Sequence, residues 1–474
     1  MAENITGTLA KFAANLKYED LPAEVVHETK RGILDLAGLA LGSLELDKGR
    51  IAVEFSRGIK GTQEASILGT GEKVAVPAAA FANGELMHSM DYNAILPPMY
   101  IGPYVTPGTI ALAESRKASG KTLITAVAVA NEIASRIGVS LGSFRSRAGA
   151  PIRSYGVGFD TFGAAAGAGK IMGLDSIKMS DALGLAGYFA PVPCHTKYMN
   201  TANNGAMKFG AAGWTAQGGV TAAMLAEMGE RGDRSVLDGE YGFWAMNGSQ
   251  SCNFESITRN LGKEWNLLQA KYKSLPCDGV FQSPCIALMK LVEDNDLKPE
   301  EIDRVIVKTE LIGMVPQFMI QTIENNVDAS MSFAYNIAVV AHRIKVGPTW
   351  QMRSTFTNQS ILNFMKKVKF EVYPVAEESR RQEIEVQGKP YINRRPSRVE
   401  VTARGKVFAQ ENDYVKWLSV ETPGYKATDD DLKAKFRTNA ENVLKGKKLA
   451  AAIDAIMNLE NIRDTNEMVK LLVP

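Results

Sequence analysis

The sequence predicts a mostly α-helical chain, a large all-helical domain joined to a smaller α+β domain. Three observations carry this expectation. The chain has 474 residues, more than one compact core usually serves. Its first two-thirds place apolar residues at helical spacing, and several of those helices are crowded with glycine and alanine. After about residue 270 the pattern changes to alternating strands with helices between them.

Taken in order, 6–16 reads as an amphipathic helix, and 23–41 as a longer one that stops at Gly42-Ser43. Residues 77–90 form a small-residue helix opened by Pro77, a residue suited to a first helical position. Helices are expected at 109–118, 123–138, 162–172 and 180–190. The stretch 203–229 (NNGAMKFGAAGWTAQGGVTAAMLAEMG) reads as a helix almost without bulk, shaped for close helix–helix contact. Beyond 270, 284–293 reads as a helix, 302–310 (IDRVIVKTE) and 368–373 as strands, and 329–344 as a helix. Residues 397–403 and 406–410 flank Arg404-Gly405 as a hairpin. The last helices, 429–444 and 449–459, fit against either domain.

Composition excludes several function classes. Lys and Arg number 54 against 52 Asp and Glu, a net charge of +2, which is not the footprint of a nucleic-acid binder. The four cysteines (Cys194, Cys252, Cys277, Cys285) form no Cys-x-x-Cys pair and the four histidines do not cluster with them, so no zinc site is expected. The N-terminus lacks the pattern of a secretory signal, and no run approaches the roughly 20 apolar residues of a membrane span. A soluble, cytoplasmic protein is the expectation.

Four polar, glycine- and proline-flanked segments are candidates for chemistry. The first is His88-Ser89-Met90-Asp91-Tyr92-Asn93, which also fits simple helix capping. The second, 145–158 (RSRAGAPIRSYGVG), holds three arginines of the kind that clamp carboxylates, or that merely face water. The third is 195–208, ending in Lys208 at the start of the low-bulk helix. A cation there is slightly unfavourable for the helix, and an anionic ligand would explain it; a surface lysine entering a buried helix is the plainer reading. The fourth, 271–282 (KYKSLPCDGVFQ), lies at the expected domain junction, where pockets are favoured, and equally fits a connector.

The order of these segments, with Thr161-Phe162-Gly163-Ala164-Ala165-Ala166, Lys170 to Asp175, Asp181 to Gly187, Gly213, Ala216, Gly219 and Lys273-Ser274-Leu275-Pro276-Cys277, closely resembles the MmgE/PrpD family over nearly the whole chain, KAKFR at 433–437 included. The resemblance implies residues 1–268 as the helical domain, with helices of 428–474 returning to it, and 269–427 as the α+β domain. It also implies a homodimer, no metal, no organic cofactor, a small carboxylate substrate, and an active site between the domains.

Transferred residue by residue, the family pattern is altered. Asp91, Lys208 and His88 match it. Tyr100 stands where the family carries histidine before the Pro-x-x-x-Ala-Leu-Ala-Glu helix. Ser154 stands where a second histidine precedes Thr-Phe-Gly-Ala, and Gln282 is nearest to a third after the Pro-Cys turn. Ala211 breaks the Lys-x-x-His pattern, and Asn93 replaces an aspartate. Histidine is the side chain suited to proton exchange near neutral pH, so these losses imply altered chemistry and an atypical substrate.

The expected catalytic residues are Lys208, which binds a carboxylate or stabilises the anionic charge that develops, Asp91, which holds that lysine or serves as base, and Tyr100 as general acid. Arg153 and Lys273 would grip carboxylates, and Ser154, Tyr155, Gln282 and His88 would complete the substrate site. His195 is a further candidate to replace a lost imidazole. The expected reaction is lyase chemistry, dehydration or decarboxylation next to a carboxylate. Epimerisation of a small dicarboxylate and a non-catalytic carboxylate binder are the alternatives.

Overall fold

The structure, a computed structural model, describes residues 4–141, 157–202, 212–389 and 391–474. It is mostly helical with a small mixed sheet. Helix α1 (Ile5–Asn15) starts where the Asn4 side chain accepts the Gly7 N–H at 2.8 Å. Helices α2 (Ala23–Gly42) and α3 (Asp47–Gly58) follow, then a short ribbon of β1 (Ala65–Ser66) and β2 (Lys73–Val74). Helix α4 (Val76–His88) ends in the first candidate segment, and α5 (Gly102–Ser115) begins just beyond it.

Helices α6 (Gly120–Ser140), α7 (Asp160–Ile171), α8 (Ser176–Phe189), the short α9 (His195–Asn200) and α10 (Ala212–Met228) complete the bundle. Helix α10 packs on α4, α7 and α8. The closeness follows from missing side chains: a methyl group on Gly213 would overlap the carbonyl oxygen of Phe81, and one on Gly219 would overlap the Ala164 side chain. Helix α6 is long and apolar enough to cross a membrane, which the sequence expectation did not anticipate; 89% of that apolar window is buried inside the protein.

The strand-rich part pairs β3 (Ile302–Thr309), β4 (Val368–Val372), β5 (Arg394–Ala403) and β6 (Lys406–Tyr414) in the order β4-β3-β5-β6. The β3–β4 pair is parallel and the others antiparallel. Val305 faces Val401 and Val307 faces Val399, all buried. Arg404 and Gly405 both take positive φ (54° and 67°), the two-residue turn whose twist suits a hairpin. Helix α11 (Gln282–Asp294) covers β5 and β6, and Phe281 stacks on Phe333 at 4.1 Å.

Two expected elements are corrected. The helix expected from 109 begins seven residues earlier, at Gly102, and continues through Pro107. The helix expected over 329–344 is two, α12 (Asn326–Met331) and α13 (Phe333–Ala341), because Ser332 leaves helical geometry and its hydroxyl caps α13 at Tyr335 N. Near the chain's end, α14 (Asp429–Ala440) and α15 (Gly446–Met457) pack on α2.

Candidate active site

The loop after α4 is pinned from several sides. Ile95 and Lys271 exchange backbone hydrogen bonds at 2.7 and 2.9 Å, which ties this loop to the 271–277 segment. The Gln351 amide donates to both Met90 O and Pro276 O at 2.8 Å. Held this way, Asp91 adopts φ +50°, a left-handed conformation uncommon outside glycine and best tolerated by Asn and Asp.

The Lys273 ammonium is fully buried and grips this residue twice, donating to Asp91 Oδ1 and to Asp91 O, each at 2.7 Å. It also lies 4.7 Å from the centroid of the Tyr100 ring. A second buried lysine stands behind it. Lys435 on α14 reaches Asp35 Oδ1 on α2 at 2.8 Å and donates to Tyr92 O at 2.6 Å and Lys273 O at 3.1 Å. Burial holds its ammonium below the ordinary lysine pKa, against the pull of Asp35.

His88 is buried and bonded through both ring nitrogens, Nδ1 to Asn93 Oδ1 and Nε2 to the Tyr104 hydroxyl, each at 3.0 Å. The Asn93 oxygen only accepts, and its nitrogen donates to Ala94 O at 3.0 Å, so Nδ1 carries the hydrogen and Tyr104 donates to Nε2. Gln282 is buried in the 274–277 turn. Its oxygen accepts from Leu275 N and Ser274 Oγ, and its nitrogen donates to Leu275 O at 2.8 Å.

In front of Tyr100 opens a cavity of about 460 Å³, between the helical bundle and the strand-rich part. Tyr100, His195, Lys271, Asp278 and Arg395 line it together with many apolar side chains. Lys271 is nearly buried, its ammonium 3.1 Å from the Tyr391 ring centroid. Arg395 bonds Glu310 at 2.6 Å. Burial first, then the nearby carboxylates Asp91 and Asp278, hold the Tyr100 phenol well above its ordinary pKa, so it is a neutral donor at physiological pH. Burial likewise pushes the Cys277 thiol up, which disfavours the thiolate a nucleophile needs. Among the described residues, no three His, Cys, Asp or Glu side chains cluster as a metal site would require.

Two family models divide the chain, the MmgE/PrpD N-terminal domain at residues 7–254 and the MmgE/PrpD C-terminal domain at 275–461. This chain belongs to the MmgE/PrpD family. Human cis-aconitate decarboxylase is 26% identical over 495 positions, covering 100% of this chain and 95% of the relative. The mouse protein of that name is 24% identical over 100% of this chain and 94% of its own length. Cis-aconitate decarboxylase of Aspergillus terreus is 27% identical over 305 residues, 60% of each chain.

Set against the sequence expectations for a member of this family, the structure gathers Asp91, Tyr100 and Lys273 in one place. Lys208, Arg153, Ser154 and Tyr155 lie outside the described residues. Lys273 stands behind Tyr100, bonded to Asp91, and is not among the described residues of the cavity wall; among the described residues that wall carries the cations Lys271, Arg395 and Lys389. His88 and Gln282 likewise stand off the described wall. Sequence reasoning passed over Arg395 and gave Asp278, inside the 271–282 segment, no role of its own. Lys271 opens a segment it singled out, yet nothing in KYK tells which lysine faces a cavity.

Proposed function

We propose that this chain is a lyase acting on a small carboxylic acid, moving a proton at a carbon next to a carboxylate. The observation that carries the reading is the cavity itself, where a neutral phenol and an imidazole share one wall with cations, backed by the buried Asp91–Lys273 pair. Family membership and the cis-aconitate decarboxylase relatives support carboxy-lyase chemistry in particular.

Lys271 and Arg395 receive substrate carboxylate. When the bond to the departing carboxylate breaks, CO₂ leaves, the bonding pair stays on the substrate carbon, Tyr100 delivers its proton to that carbon, and the phenolate takes a proton back from water. A carbanion is far more basic than a phenol, so the raised pKa of Tyr100 does not prevent this transfer. His195 is the second proton-transfer group of the wall. The Asp91–Lys273 pair fixes Tyr100 from behind. Lys208 keeps the role assigned from sequence, stabilising the anionic charge that develops. The reading includes a homodimer and no resident cofactor.

The test is turnover of a panel of ¹³C-carboxyl-labelled mono-, di- and tricarboxylates followed by NMR. Loss of label from one acid, slowed by Lys208→Ala and with KM raised by Lys271→Met, supports the reading. Binding by thermal shift with no product from any acid contradicts it and favours the binder.

A further inference from the structure

The walls of this cavity and the size of a tricarboxylate do not match. Its volume of about 460 Å³ falls within the roughly 300–1,000 Å³ of sites that enclose drug-sized ligands. Much of its lining is apolar, with Met99, Met199, Val280, Phe318, Ile384 and Ile392 among the contributors. Among the described residues, several of the charged groups on the wall already have partners. Arg395 is bonded to Glu310 and Lys389 to Glu421, while Glu385 accepts from Arg380 at 2.8 Å. Asp278 adds a carboxylate to the same wall as Lys271. A trianion entering here would lose water around three charges over a wall whose described lining is largely apolar. An apolar chain or ring would instead meet side chains of its own kind.

We infer that the site takes a carboxylic acid bearing one or two carboxylates at one end and an apolar chain or ring at the other, in place of a compact tricarboxylate. The inference rests on the lyase reading only for the site's identity as the substrate site. Lys271 and Arg395 hold the carboxylate end, and the Phe318–Ile384–Ile392 side encloses the apolar end.

Calorimetric titration of the full chain with succinate, benzylsuccinate and cis-aconitate tests this. Benzylsuccinate is expected to bind at least about tenfold more tightly than either of the others, the discrimination an apolar pocket gives for added apolar bulk. Ile384→Ala, at a half-buried position, is expected to weaken benzylsuccinate several-fold and leave succinate unchanged; Ile312→Ala serves if that variant does not fold. Tighter binding of cis-aconitate, equal weakening of both dianions, or no binding by any of the three overturns the inference. Apolar-tailed acids bound in the expected order but not turned over would leave it standing and remove the lyase reading. A trianion bound best and turned over would do the reverse.

Discussion

Asp91 is held in a conformation that non-glycine residues rarely take, at a cost of about 1–3 kcal/mol, and the group that holds it is Lys273. Both side chains are buried, so each needs the other. Lys273→Met takes the ammonium away from the buried Asp91 carboxylate and is expected to lower unfolding free energy by about 3–5 kcal/mol, read from urea denaturation. The double variant Asp91→Asn/Lys273→Met should recover part of that loss, since neither charge is then stranded. An unchanged urea midpoint for Lys273→Met would show that the pair does not bear on stability. Tyr100→Phe removes the hydroxyl that offers the proton and keeps the ring. It should keep the fold and lower kcat by about 10²–10⁴-fold on whichever acid is turned over. Asp91, Lys273 and Tyr100 were legible in the sequence because motif order marks them. Their pairing was not. Asp91 meets Lys273 through the backbone path of the 271–277 segment, which no local pattern encodes, while Lys208, the lysine the sequence set beside Asp91, lies outside the described residues.

At the level of elements, the low-bulk helix α10 explains how the bundle closes. Gly213 and Gly218 share the same helix and differ in surroundings. A methyl at 213 would overlap backbone of α4, whereas one at 218 meets its nearest neighbours at an ordinary 3.7 Å. Gly213→Ala is therefore expected to destabilise by about 1–3 kcal/mol, and Gly218→Ala to be neutral or stabilising by up to about 1 kcal/mol through helix propensity. Thermal melts of the two variants check this, and equal shifts would contradict it. The helical bundle and the β5–β6 hairpin were readable in advance because periodicity and turn residues act locally. Pro107 misled the reading of α5, since a proline near a helix start ends nothing when the preceding turn already supplies the helix. The break at Ser332 was invisible because the polar residues there, Ser330, Ser332 and Asn336, are themselves buried and the run to Ala341 is otherwise apolar, so no solvent face marks a boundary.

Across the whole molecule, the site arises where α2, α14, the loop after α4 and the 271–277 segment meet. The Asp35–Lys435 pair joins the chain's early and late helices directly behind it. The same packing buries many phenols. Tyr92, Tyr100, Tyr104, Tyr198, Tyr272 and Tyr335 are all buried and raised above the ordinary value of 10.0, with desolvation the first cause in each. The folded state thus keeps protons that the unfolded chain releases above pH 10. Stability is fully present below that pH and falls as pH rises beyond it, by about 1.4 kcal/mol per pH unit for each phenol still protonated. Urea midpoints at pH 8, 9.5 and 11 should stay level between the first two and drop steeply at the third; a level midpoint at pH 11 would contradict the burial described. The cavity was the least legible feature at this scale. Arg395 comes from a strand more than a hundred residues beyond Lys271, and only the closed fold brings them to one wall.

On the proposed mechanism Tyr100, at the wall of this cavity, hands a proton to substrate carbon. That step is tested most directly by running turnover in D₂O and measuring deuterium at that carbon by NMR, for the native chain and for Tyr100→Phe. One deuterium per turnover is expected in the native protein, and a rate lower by about 10²–10⁴-fold in the variant. Equal rates in the two proteins, or product carrying no deuterium, would contradict it.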